Sequence, residues 1–222
     1  MEIKIYTADV AALSDEKLFQ ALYSRVSAGR REKTDRMRFE KDKRLSLGAG
    51  ALLEMALAAE GVDDFTMAEE KNHKPCLAGR PELKFNLSHS GTKVLCALSD
   101  SDIGCDVEKI TEIDMGIARR FFFAEEYEAL LRCPAGERRN TLFFRTWTCK
   151  ESFMKATGLG FALPLRDFCI MLDGAVPTVR QHVDGRTYYF REFDPGDGYR
   201  CAVCSAEKPQ DHTAMTEVFF EN

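Results

Sequence analysis

The chain has 222 residues, 45% hydrophobic and 30% charged, with a net charge of −5. That apolar share supports a buried core, in one large domain or two of about a hundred residues, and excludes disordered and fibrous classes. The acidic balance speaks against a nucleic-acid partner. No apolar run reaches the roughly 18 residues of a membrane span, and the start lacks a signal-type apolar segment, so a soluble cytoplasmic protein is expected.

Glu2 to Ala8 alternates as a strand. A helix is expected from Ser14, with Leu18, Leu22 and Val26 on one stripe. Arg30 to Arg44 then holds eight basic and four acidic residues, a local excess of four positive charges. It reads either as a solvated helix face with mixed ion pairs or as an anion site made by Arg30, Lys33 and Arg44. A second helix is predicted over Asp42 to Ala59, apolar at Leu45, Leu52, Leu53, Ala56 and Leu57 and stopped by Gly61. After a polar loop come strands at Lys84 to Ser88, Val94 to Leu98 and Ile103 to Val107, the first two joined by a turn at Ser90-Gly91. Helical spacing returns at Ile113 to Phe122, Glu125 to Leu131 and Arg138 to Lys155, the last ending at Gly158. Phe168 to Leu172, Thr187 to Phe193 and Tyr199 to Ala206 are strand-like.

Helices followed by a strand meander thus occur twice. The predicted fold is α+β, in two related halves, residues 1–102 and 103–222, with a ligand cleft between them. The eight cysteines sit singly in apolar runs, as reduced thiols used for packing. Cys201 and Cys204 have the spacing of half a zinc knuckle, but no second pair completes it, and the surrounding alternation favours two packed thiols.

The chemistry gathers near the junction. In Gly104-Cys105-Asp106-Val107-Glu108 the two carboxylates are two apart, so on a strand they share a face about 7 Å apart. Carboxylates without histidine suit a hard cation, magnesium above all, which binds substrate phosphates. Alone the pattern is weak, since chance supplies it in about one chain in twenty. In Trp147-Thr148-Cys149-Lys150-Glu151-Ser152-Phe153-Met154-Lys155, Glu151 and Lys155 stand one helical turn apart. Phe143, Phe144, Trp147, Phe153 and Met154 should bury much of this helix, which counts against an ordinary surface ion pair. Lys150 projects about 100° away from Glu151, leaving open a ligand contact or a structural ion pair. Phe85-Asn86-Leu87-Ser88-His89-Ser90-Gly91 closes a strand in small polar residues and a histidine. Phe121-Phe122-Phe123 reads as core rather than a binding patch.

Together these residues resemble the Sfp-type 4′-phosphopantetheinyl transferases, whose signatures are matched in order by Lys74-Pro75, Phe85 to Gly91, Gly104 to Glu108 and Trp147 to Lys155. The resemblance covers most of the chain and implies a monomer of two pseudo-symmetric α+β halves with coenzyme A in the cleft. It implies magnesium, with manganese as an alternative, on Asp106, Glu108 and Glu151. Lys155 and His89 would meet the pyrophosphate, Lys74, Pro75 and Ser88 the nucleotide end, and Arg30, Lys33 and Arg44 the 3′-phosphate. Glu151, Lys155 and His89 are the implied catalytic residues. The implied reaction moves the phosphopantetheine arm onto a serine of an apo acyl or peptidyl carrier protein and releases 3′,5′-ADP, with no nucleic-acid or membrane partner. A carrier surface on Ile113, Met115, Arg119 and Arg120 is a further expectation. A coenzyme A-binding module without transfer activity, and a metal-dependent phosphohydrolase, are the competing readings.

Overall fold

A computed structural model describes residues 2–196 and 198–221. In chain order the elements are β1 (Lys4–Asp9), α1 (Glu16–Arg25), α2 (Ala28–Asp35), α3 (Glu40–Ala59), β2 (Met67–Glu69), β3 (Pro75–Leu77), β4 (Lys84–Ser90), β5 (Lys93–Ser99) and β6 (Ile103–Lys109). They continue with α4 (Met115–Phe121), α5 (Ala124–Arg132), α6 (Glu137–Ala156), β7 (Cys169–Met171), β8 (Thr178–Arg180), β9 (Tyr189–Phe193), β10 (Tyr199–Ser205) and β11 (Met215–Val218). None of the described helices is long and apolar enough to cross a membrane.

The two halves share a topology. One sheet runs β11-β1-β5-β4 and the other β6-β10-β9. In both, the strand that opens the half pairs antiparallel with the last strand of its meander, which pairs antiparallel with the strand before it. A 20-residue helix, α3 in one half and α6 in the other, lies against each sheet. A small hairpin accompanies each, β2-β3 and β7-β8. This is the α+β fold expected. The chain does not divide cleanly at residue 102, because β11 returns from the second half to pair in parallel with β1.

Alternation along the strands explains the layering. In β5, Val94, Cys96 and Leu98 face the core under α3, whereas Leu95 and Ala97 enter a cluster shared with β6 and β10 through Ile103, Cys105, Val107, Cys201 and Val203. That shared cluster holds the halves together. Cys201 and Cys204, three residues apart on β10, fall into different clusters on opposite faces, so they do not converge on one ion. All eight cysteines are free.

Sequence spacing located the main elements within a few residues. The helix expected at Ser14 begins after Asp15, whose carboxylate accepts from the Lys17 and Leu18 amides at 2.8 and 3.1 Å. The basic stretch divides into α2 and the start of α3. The three- and four-residue strands β2, β3, β8 and β11 escaped notice because alternation over so few residues is no signal.

Candidate active site

β4 and β6 are the edge strands at which the sheets meet, and side chains of one complete the other. The Cys105 amide donates to Asn86 Oδ1 (2.9 Å), that of Val107 to Ser88 Oγ (3.4 Å) and that of Lys109 to Ser90 Oγ (3.2 Å). Edge amides that would otherwise invite another strand are thereby capped every second residue. The same hydroxyls orient the acids: Ser88 donates to Asp106 Oδ1 at 2.8 Å and Ser90 to Glu108 Oε2 at 2.6 Å. The intervening residues of β4, Phe85, Leu87 and His89, look the other way, into a cavity beneath α2 and α3.

Gly104 sets the approach of α6. A Cβ there would stand 2.0 Å from the Ser152 carbonyl oxygen and 2.4 Å from the Ala156 nitrogen, so only glycine lets the helix lie this close on β6. Asp106 and Glu108 follow on the same face, toward Glu151 and Lys155. The Lys155 ammonium donates to Asp106 Oδ1 (2.6 Å), the Cys105 carbonyl (3.1 Å) and Ser88 Oγ (3.2 Å). Burial by itself depresses the Lys155 pKa, but Asp106, Cys105 and Glu151 together outweigh it and hold the amine above its usual value.

The carboxylates repel one another. Burial, then Asp106, pushes the Glu151 carboxyl up to about 7, with Glu108 adding to the rise and Lys155 opposing it. Burial likewise raises Glu108, against the pull of Ser90. Asp106 Oδ2 is buried without a hydrogen-bond partner among the described residues. As they stand, no three His, Cys, Asp or Glu side chains among the described residues are close enough to hold an ion together. The donor chemistry nonetheless fits a hard divalent cation: three carboxylates against one ammonium, one carboxylate oxygen unmatched, and no soft ligand.

Arg30, Lys33, Pro75 and His89 line a cavity of about 620 Å³ with Met37, Leu45, Leu53, Phe65, Phe85 and Leu87 among its apolar walls. Gly50 gives Arg30 its place, since a Cβ there would collide with the guanidinium stem. Burial lowers the pKa of both Arg30 and Lys33, and Arg30 lowers Lys33 further, against the opposing pull of Glu54 and Glu69, which line the same cavity with Asp42. His89 joins the two regions. Its pKa is lowered, first by desolvation and then by Lys155 and Lys33.

Three expected residues stand elsewhere. Arg44 is not part of this cavity wall. Ser88 belongs to the acid cluster rather than the cavity. The Lys74 ammonium donates to the Ile103 and Lys155 carbonyls at 3.2 and 2.9 Å, outside the cavity that its neighbour Pro75 lines. Lys150, left open by the spacing, is a structural ion pair: fully buried, it meets Glu126 at 2.7 Å and the Phe168 carbonyl at 2.8 Å. Sequence reasoning missed Glu126, which accepts from the Phe123 amide at 2.8 Å; with phenylalanine at the N-cap no capping-box pattern marked it. The aromatic triplet is largely core, with Phe122 stacked on Phe143 at 5.0 Å and Phe121 edge-on to Trp147 at 6.4 Å. Arg119 and Arg120 are exposed on α4.

The comparison with known proteins agrees with this geometry. A family model described as the 4′-phosphopantetheinyl transferase superfamily matches residues 102–204, the stretch carrying the acid cluster and α6. The chain is 32% identical to the 4′-phosphopantetheinyl transferase ffp of Bacillus subtilis, over 96% of this chain and 98% of that protein. It belongs to the 4′-phosphopantetheinyl transferase family. The transferase Sfp of the same species is 31% identical over 96% and 98% of the two chains, and HetI of Nostoc 37% identical over 86% and 83%. The chain is therefore an enzyme of the transferase class, and within this family its acid cluster is the candidate active site.

Proposed function

We propose that this transferase moves the 4′-phosphopantetheine arm of coenzyme A onto a serine of an apo acyl or peptidyl carrier protein, with 3′,5′-ADP as leaving group. The observation that carries the reading is continuity: His89 lines the partly apolar cavity in which Arg30 and Lys33 stand and also feels the Lys155 charge in the acid cluster. A nucleotide has the same sequence of needs, with an apolar slot for its base, cations for its 3′-phosphate and a charged seat for its pyrophosphate. Arg30 and Lys33 take the phosphate, Pro75 the nucleotide end, and His89 and Lys155 the pyrophosphate.

Asp106, Glu108 and Glu151 would hold magnesium, which when bound supplies positive charge to the pyrophosphate oxygens. The chain's own groups account for the rest. The serine oxygen forms a bond to phosphorus as the bond to the 3′,5′-ADP oxygen breaks. Glu151, directly or through a water, takes the serine proton. A carboxyl with elevated proton affinity is suited to that task near neutral pH. Lys155, held by Ser88, Asp106 and the Cys105 carbonyl, presents a fixed ammonium to the charge developing on the leaving group, with little reorganisation. His89, kept neutral by its surroundings, donates a hydrogen bond without adding charge.

Under the same reading the enzyme works as a monomer in the cytoplasm, without nucleic acid or membrane. The net charge of −5 and the free thiols support it. Intact-mass analysis of a panel of apo-carriers with coenzyme A and magnesium tests the reaction and the partner together. One phosphopantetheine mass added, with one equivalent of 3′,5′-ADP, is expected. Phosphopantetheine released without carrier modification would make the protein a phosphohydrolase, and binding without turnover a coenzyme A-binding module.

A further inference from the structure

The turn leading into β3 departs from ordinary backbone geometry. Asn72 and His73 both lie at positive φ, 68° and 60°. Such conformations cost non-glycine residues about 1 kcal/mol or more each, and they persist only where surrounding contacts enforce them. Local contacts hold part of the turn, with His73 Nδ1 at 2.9 Å from Glu69 and the Glu70 amide donating to the Lys74 carbonyl at 2.8 Å, and further contacts come from the other half of the molecule. Asn72 Nδ2 donates to the Gly158 carbonyl at 3.1 Å, and the Lys74 ammonium to the Lys155 carbonyl at 2.9 Å and the Ile103 carbonyl at 3.2 Å.

These carbonyls are not arbitrary. Lys155 belongs to the last turn of α6, where its carbonyl also accepts from the Gly158 amide at 3.2 Å and the helix dipole favours a cation. Ile103 opens β6, three residues before Asp106. One ammonium therefore ties the end of the helix that carries Lys155 and Glu151 to the start of the strand that carries Asp106 and Glu108. The next residue, Pro75, lines the nucleotide cavity. No carboxylate lies within ion-pair distance of Lys74 among the described residues, so its charge is spent on carbonyls.

We propose that Lys74 is a positioning residue for the transfer step: reaching from the first half onto the Lys155 and Ile103 carbonyls, it fixes the last turn of α6 against β6 and thereby sets where the Lys155 side chain stands on Asp106. The inference rests on the proposed transferase mechanism for its kinetic consequence, but the clamp itself is a statement about α6. It differs from a nucleotide contact, the role that resemblance alone assigns to this lysine.

The test compares full-length Lys74→Met, which keeps an apolar stem and removes the donors, with Lys74→Arg, which restores a cation able to bond two carbonyls. Steady-state kinetics use coenzyme A, magnesium and an apo-carrier that the unaltered protein modifies, and amide hydrogen exchange is followed over α6. In Lys74→Met, kcat should fall about ten- to a hundredfold, since small misplacements of reacting groups carry such losses. KM for coenzyme A should stay within about threefold. Amides of the last turn of α6 should exchange faster, and Lys74→Arg should recover most of both. A raised KM with unchanged kcat would return Lys74 to the nucleotide site and overturn the proposal. So would a kcat loss matched by an equal loss of coenzyme A-binding stoichiometry in calorimetry, which reports misfolding. Should the unaltered protein modify no carrier, the transferase reading fails by itself; hydrogen exchange still decides the clamp, and unchanged protection in Lys74→Met defeats it.

Discussion

Two lysine–carboxylate pairs hang from α6, and they are built to different ends. Lys150 and Glu126 meet at 2.7 Å with side-chain exposures of 0% and 3%, whereas Lys155 and Asp106 meet at 2.6 Å with exposures of 25% and 4%. Around the first pair every need is met. Glu126 also accepts from the Ile170 and Phe123 amides, Lys150 donates to the Phe168 carbonyl, and the Phe168 ring lies 4.3 Å from the ammonium. Around the second pair needs are left over: Asp106 Oδ2 has no partner, and Glu108 and Glu151 add negative charge without matching cations. Their titrations diverge accordingly. Burial leaves Lys150 below the usual lysine value, while Asp106 and its neighbours hold Lys155 above it. A saturated pair is a joint between α5, α6 and β7; an unsaturated pair leaves uncompensated carboxylate charge and an unpartnered oxygen at the candidate active site.

Substitutions can break this contrast. Glu151→Gln should lower kcat about 10²- to 10⁴-fold, the range for loss of a general base, while coenzyme A affinity measured by calorimetry changes little. Near-normal turnover would remove Glu151 from the chemistry. Lys150→Met should destabilise the fold by about 3–5 kcal/mol in urea unfolding, because it strands a buried carboxylate. Lys155→Met inverts that profile. Stability falls by no more than about 2 kcal/mol, since Ser88 still serves Asp106, but kcat falls about 10²- to 10³-fold in the carrier assay. Equal stability losses in the two lysine variants would erase the distinction. Arg30→Met should raise KM for coenzyme A about tenfold with kcat retained, as expected for an interaction made equally in ground and transition states.

The smallest effect is on stability against pH. A carboxyl whose pKa is raised on folding, as Glu151 is from 4.5 to about 7, contributes stability that is present below the unfolded value and lost as pH rises through the folded one. In chelator, Tm should therefore decline between about pH 5 and pH 7.5 more steeply for the unaltered protein than for Glu151→Gln. Magnesium should flatten the decline. Identical slopes for the two proteins would show that Glu151 does not carry the strain of the acid cluster.

Much of this site was legible in the chain. Alternation placed Asp106 and Glu108 on one face of a strand, and helical periodicity put Glu151 and Lys155 one turn apart, because each rule depends only on local backbone geometry. The same alternation sorts β4 into Asn86, Ser88 and Ser90 on one side and Phe85, Leu87 and His89 on the other. What it does not tell is which side meets β6 and which the cavity. The charge excess over Arg30 to Arg44 reads either as a solvated face or as an anion site; the fold brings Arg30 and Lys33 into a cavity wall, whereas Arg44, of the same charge and from the same stretch, lies outside it. Charge counting has no direction.

The two lysines of α6 mark the boundary most clearly. Sequence by itself determined that they point to different sides of the helix, since five residues at about 100° each bring the second some 140° round from the first. Only the tertiary structure decided which one is saturated. The partner of Lys150 lies 24 residues away and that of Lys155 lies 49 away, on elements whose arrival no local periodicity encodes. Burial and the count of unmatched oxygens around each ammonium exist only once those elements have packed, and they separate a lysine in a saturated pair from one in an unsaturated cluster.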